Sequence, residues 1–360
     1  MAFVPIKRLA RLLSAAGVCV ALSAPAGAAA SAGHWLRVGD AQSFLRLDPG
    51  NYPEGIAVGK RGTVYLGNRR DDGEHFVSEI LAIARDGSVS TVAKLAELEL
   101  DGDPGDDGVL GLAIDSRGAI LAAVVSPDPA VHGVWRITCN GSRRERLAGS
   151  EGMTFPNALT FDARGNLYVT DSFGGAVWRF PLVGTRRHPA YRTGRPWAEH
   201  ELLAPAVDDP LGFPLPGANG IGFDRPNRLY VANTEKGLVA QVPINRDGSA
   251  GEAVAVATGL ATADGLAVDA RGGVHVVIPG HAILGTSPLV LVDPRTGNTT
   301  AGVAPDEWGE FDVPLSLAFG TGRHRTSIFA TNGDLPGVPP EVRLPGVVEV
   351  NVGVPGASAG

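Results

Sequence analysis

The sequence predicts an all-β chain that uses one four-stranded unit six times, and three observations predict it. Glycine and proline supply 49 and 27 of 360 residues, about a fifth of the chain where ~12% is ordinary. The chain is also 44% hydrophobic, too apolar to stay disordered. Many turns in a hydrophobic chain mean many short strands. The third observation is a phrase that recurs along the chain.

The clearest copy is Pro156-Asn157-Ala158-Leu159-Thr160-Phe161, followed by Asp162-Ala163-Arg164-Gly165 and Asn166-Leu167-Tyr168-Val169-Thr170-Asp171. A polar residue, a small residue and an alternating apolar stretch lead into a Gly-containing turn and a second strand. Ala218-Asn219-Gly220-Ile221 and Ala263-Asp264-Gly265-Leu266 begin further copies, as does Pro53-Glu54-Gly55-Ile56 near the start. Two weaker copies begin at Leu110-Gly111 and Leu315-Ser316. The small residues fall at 55, 111, 158, 220, 265 and 316, with spacings of 56, 47, 62, 45 and 51.

A third strand follows the copies, as at Ala176 to Phe180 and Leu289 to Val292. A fourth is expected at Ser88 to Leu95, Arg144 to Ala148, Glu199 to Leu203, Glu252 to Ala257 and Thr299 to Val303. Four strands at this period make a propeller blade, and six copies make a six-bladed β-propeller. Gln42 to Leu47 precedes the first copy and belongs to no earlier blade. The last copy has only second and third strands after it, at Ser327 to Ala330 and Val347 to Val352. The N-terminal strand is therefore expected to complete the last blade, leaving no free edge. One domain over residues 31–360, without a linker, follows.

Residues 1–30 read as a secretory signal. Lys7, Arg8 and Arg11 precede the apolar run Leu12 to Ala24, and Ala26-Gly27-Ala28 offers a cleavage site. The run is too short to span a bilayer. A secreted or periplasmic protein without membrane attachment is expected. Signal removal takes the net charge from −7 to about −10 and leaves one cysteine, Cys139, so no internal disulfide can form. Acidity, the absence of a Lys/Arg cluster and 6% aromatics exclude a nucleic-acid surface. No Gly-x-Ser-x-Gly elbow is present, which argues against a serine hydrolase.

In a propeller the inner strands start together at one face. The residue before each small one is Glu54, Leu110, Asn157, Asn219, Asp264 or Leu315. Four of these six carry side-chain oxygen, and two of the four are anionic. An acid or amide at a core edge needs a partner. Such a set suits a hard cation such as Ca²⁺, with contacts of about 2.3–2.6 Å; another divalent cation is the alternative. Each of these residues alone could simply form a turn, but all four share one repeat phase.

The phrases Pro53-Glu54-Gly55, Pro156-Asn157, Ala218-Asn219-Gly220 and Ala263-Asp264-Gly265 resemble the metal motifs of the senescence marker protein/gluconolactonase/luciferin-regenerating enzyme superfamily. The resemblance covers about residues 40–352. It implies Glu54, Asn219 and Asp264 as ligands of a catalytic Ca²⁺, with Asn157 at both metal and substrate. Asp264 and Asn157 are the expected catalytic residues, with Asp264 or a metal-bound water delivering the base or nucleophile; a small-molecule substrate and a monomer are expected. The chain departs from the family pattern at Leu110 and Leu315. No equivalent is evident of the histidine that fluorophosphatase-type members carry.

The leading expectation is a Ca²⁺-dependent hydrolase of a lactone or related ester. A non-catalytic exported binding module, or a biosynthetic propeller enzyme related to strictosidine synthase, stands beside it. Among the remaining residues, Asp101 to Asp107 reads as a solvated acidic loop and His275 as a core or channel residue. His281, on a loop after a strand, is the histidine best placed to reach the active face. Arg186-Arg187-His188 sits in the longest stretch between copies, as a lid or a plain connection.

Overall fold

The computed structural model describes residues 36–71, 75–99, 108–185, 187–206, 215–224, 228–333 and 345–357. The signal segment, the acidic loop Asp101 to Asp107 and Arg186 lie outside the described residues. Six four-stranded antiparallel sheets stand in a ring, a six-bladed β-propeller. The inner strands are Asn51–Val58, Gly108–Ile114, Pro156–Phe161, Ala218–Asp224, Leu266–Val268 and Val313–Phe319. These define blades one to six. Among the described residues the one α-helix is His281–Leu284, beside short 3-10 segments such as Pro305–Glu310, and no described helix is long and apolar enough to cross a membrane.

The ring closes as the sequence predicts. Ala41–Arg46 pairs antiparallel with Gly346–Asn351, placing Ala41 opposite Val350 and Arg46 opposite Gly346. The last blade thus runs from Val313–Phe319 through Ser327–Gly333 and Gly346–Asn351 to the N-terminal strand. Its third strand carries the buried Glu349, which His324 Nδ1 meets at 2.6 Å and Gln42 Nε2 at 3.2 Å. The two ends of the described chain therefore share a polar clasp as well as a ladder.

Blade three shows why each hairpin forms. Asp162 closes the turn with Asn166, its Oδ1 accepting from the Arg164 and Asn166 amides at 2.9 Å each. Gly165 takes φ +88° there, a conformation glycine adopts without strain. The hydrophobic core lies between blades. One cluster joins Tyr168, Val177 and Leu203 to Leu229 and Val231. Another joins Leu66 and Ile83 of blade one to Phe329 and Val347 of blade six.

One strand lies elsewhere than predicted. The outer strand of blade three is Arg195–Glu199, not Glu199 to Leu203. Trp197 packs edge-on against Tyr168, with ring centroids 5.1 Å apart, and Ala198 is buried beside it. Leu203 reaches the same core from a turn. The connection after Phe180 leaves from the face where the inner strands end, so Arg187 and His188 do not cover the face where they begin.

Candidate functional site

The residues singled out by phase sit where the inner ladders loosen. Register shifts fall between Pro53 and Ile56, Val109 and Gly111, Pro156 and Leu159, Ala218 and Ile221, and Pro314 and Leu317. In blade five, Asp264 and Gly265 precede the strand and bond Val277 at 3.1 and 3.0 Å. A bulge releases a residue from the ladder and re-aims its side chain. Glu54, Leu110, Asn157, Asn219, Asp264 and Leu315 therefore all stand at one end of the disc.

The small residue after each is needed for close approach. A side chain at Gly111 would strike the Asn157 carbonyl oxygen, and one at Gly220 the Asp264 carbonyl oxygen. Below this neck a channel of about 50 Å³ is lined by residues of every blade, among them Ile56, Gly111, Ala158, Gly220, Gly265 and Ser316. It has room for a few waters at most. Chemistry belongs at the mouth, not inside. Gly220→Val is expected to destabilise the fold by about 3 kcal/mol or more, the upper end for overpacking, because the obstacle is main chain. A thermal midpoint equal to wild type would contradict this.

Asn157 and Asn219 are each 4% exposed and held alike. Asn157 Nδ2 donates to Ser172 Oγ at 3.2 Å, and Ser172 Oγ donates to the Ala218 carbonyl at 2.7 Å. Asn219 Nδ2 donates to Thr234 Oγ1 at 2.9 Å, and Thr234 Oγ1 donates to the Ala263 carbonyl at 2.7 Å. Each hydroxyl has one proton and gives it to the next blade. It must therefore accept from the asparagine, which fixes the amide nitrogen there and leaves Oδ1 as the remaining acceptor. Ser172 and Thr234 were missed in the sequence. The signal was available: each follows the Asp or Asn that ends the second strand.

Glu54 and Asp264 are half-buried. Thr331 Oγ1 of blade six donates to the Glu54 carbonyl at 3.0 Å, which fixes the main chain at this position. Leu110 fills its position by packing with Val125 and Phe155, and Phe173 leans on the group. Phe155 and Phe173 meet edge to face at 4.8 Å. Phe173 is the half-exposed member of this apolar group.

Two carboxylates and two oriented carboxamides at one repeat phase fit a hard, oxygen-seeking cation. Among the described residues no three His, Cys, Asp or Glu side chains gather into a metal-binding group. The set reaches four donors only through its asparagines.

The two histidines differ. His275 is buried, its Nε2 3.2 Å from Asp269 Oδ2 and its ring edge-on to Phe319. It is a core residue. His281 follows the strand whose end bonds Asp264, but it is buried, with Nδ1 3.2 Å from the Ile278 carbonyl. Burial pushes its pKa below the ordinary 6.5. The unfolded chain then binds this proton first, so stability is full above 6.5 and falls as pH drops through it. His281→Phe is expected to flatten that part of the fall. Urea midpoints at about pH 7.5 and about pH 5.5 check it; an unchanged slope contradicts it.

No protein-family model matches the chain, and no curated protein matches its sequence. Solved structures do share its fold. A gluconolactonase from Xanthomonas campestris is 18% identical, with TM-score 0.58 over 89% of this chain and 91% of its own. A luciferin-regenerating enzyme is 14% identical, with TM-score 0.58 over 88% and 96%. Regucalcin from Agrobacterium tumefaciens, described as a calcium-binding protein, is 16% identical, with TM-score 0.56 over 85% and 91%. At these identities the likeness establishes the propeller fold.

Proposed function

We propose that this chain is a calcium-dependent hydrolase of a lactone or related ester, working at the mouth where the inner strands begin. The observation that carries the reading is the matched pair of asparagines. Two like hydroxyl relays commit an Nδ2 proton of Asn157 and of Asn219 and leave each Oδ1 as the acceptor, at the repeat phase that Glu54 and Asp264 share. The gluconolactonase and calcium-binding regucalcin among the fold neighbours support the same class. The exported location expected from residues 1–30 is part of the proposal.

Glu54, Asn157, Asn219 and Asp264 would hold the cation. When bound, Ca²⁺ supplies Lewis-acid polarisation of the ester carbonyl and positive charge for the developing oxyanion. The chain supplies the rest. Asp264 accepts the proton of the attacking water on a carboxylate oxygen and returns it to the departing alcohol oxygen. Asn157 Nδ2 gives one of its two protons to Ser172 Oγ and donates the other to the carbonyl oxygen of the substrate. Phe173, half-buried on the packed group of Leu110, Val125 and Phe155, receives the apolar part of the ring.

The test is a panel of γ- and δ-lactones and aryl esters, run on chelator-treated protein with and without added Ca²⁺. Turnover is expected only with Ca²⁺, and faster for lactones bearing an apolar substituent. Equal rates in chelator, or no turnover of any member with Ca²⁺, would overturn the reading.

A further inference from the structure

The face opposite the polar mouth carries a second concavity. A cleft of about 270 Å³ lies between blades three and four. Asp162 and Arg164 of one hairpin turn, Arg179, Phe223, Ile244 and Arg246 form its main walls. Three guanidinium groups therefore share one cleft in a chain whose net charge is −7.

The one acid in the cleft offsets at most one of the three positive charges and pairs with none of them. Asp162 Oδ1 is taken by two backbone amides, and Oδ2 accepts from Asn166 Nδ2 at 2.7 Å and the Tyr168 hydroxyl at 3.3 Å. Among the described residues no carboxylate pairs with Arg164, Arg179 or Arg246. Arg179 is fixed in place. Its Nη1 donates to the Gly248 carbonyl at 2.9 Å, and its guanidinium lies 5.7 Å over the Tyr168 ring. Trp197 Nε1 also donates to the Gly248 carbonyl, at 2.9 Å, so the loop wall is pinned twice. Arg179 Nε is buried without a hydrogen-bond partner. A buried donor left unmet is costly, and it marks a guanidinium that the protein's own acceptors do not fully satisfy.

We propose that this cleft binds a small organic anion, an apolar body carrying one carboxylate or phosphate group. Arginine forks match the oxygens of both groups, and Phe223 and Ile244 offer the body an apolar surface. The volume is below that of a typical drug-sized pocket, which restricts the ligand to a small one. Neither the polar mouth nor its chemistry is involved, since the cleft lies where the inner strands end.

The test is calorimetric titration of the full chain with benzoate, phenyl phosphate and benzyl alcohol at one ionic strength. Both anions, or one of them, are expected to bind saturably, and benzyl alcohol at least ~10-fold more weakly, because the charge-assisted bonds are lost. Tighter phenyl phosphate assigns a phosphate ligand; tighter benzoate assigns a carboxylate. Arg164 and Arg246 are exposed, so the double variant Arg164→Gln/Arg246→Gln should keep the wild-type thermal midpoint. It should weaken anion binding by about 10-fold or more. No saturable binding of either anion, equal binding of the alcohol, or undiminished affinity in a folded double variant would overturn the proposal.

Discussion

Deleting the chain through Arg46 is expected to leave a protein that does not fold cooperatively at room temperature. The Ala41–Arg46 strand covers Gly346–Asn351, and Phe44 packs on Phe329 with ring centroids 4.7 Å apart. Without it Phe329, Val347, Val348 and Val350, all buried, lose cover. At about 1.5–3 kcal/mol for each fully exposed side chain, even partial exposure approaches the ~5–15 kcal/mol a domain possesses. Glu349 also loses Gln42, and a full row of unpaired backbone groups becomes an edge open to aggregation. Circular-dichroism melts and size-exclusion chromatography measure this. A truncated chain that melts cooperatively within a few degrees of wild type would show that closure contributes little.

Asp264→Asn is expected to lower lactone turnover by ~10²–10⁴, the usual contribution of a general base, and to weaken Ca²⁺ binding. The substitution keeps size and one ligand oxygen while removing a charge. Its main chain is held independently: the amide donates to Val277 at 3.1 Å. Fold stability should therefore move little. Leu110→Ala, at the same repeat phase, should behave in the opposite way. Leu110 is buried against Val125 and Phe155, and its truncation should cost roughly 2–5 kcal/mol. Turnover per folded molecule should change far less than in Asp264→Asn. Kinetics together with urea unfolding of both variants separate chemistry from packing. Equal stability losses and equal turnover in the two would make Asp264 a turn residue.

The fold was legible because a propeller writes its geometry into repetition. Each small residue at 55, 111, 158, 220, 265 and 316 marks where neighbouring inner strands crowd together, and the residue before it, polar in four of the six, marks where the inner strand leaves the regular ladder. The closing strand was legible by count. The outer strand of blade three was not, because Leu203 is an apolar anchor on a turn, and outer strands expose most of their surface and carry weak patterns. The relays through Ser172 and Thr234 were readable only by aligning second strands, since a lone hydroxyl says nothing. The arginine cleft could not be read at all. Asp162, Arg179 and Arg246 belong to separate turns and strands, and only folding brings them together.

The central claim is that Glu54, Asn157, Asn219 and Asp264 take one divalent cation between them. Calorimetric titration of Ca²⁺ into chelator-treated wild type, Asp264→Asn and Asn219→Ala tests it most directly. The account predicts one saturable site per chain in wild type, with affinity reduced at least ~10-fold in each variant. Absence of binding in wild type, or wild-type affinity in folded Asp264→Asn, would contradict it.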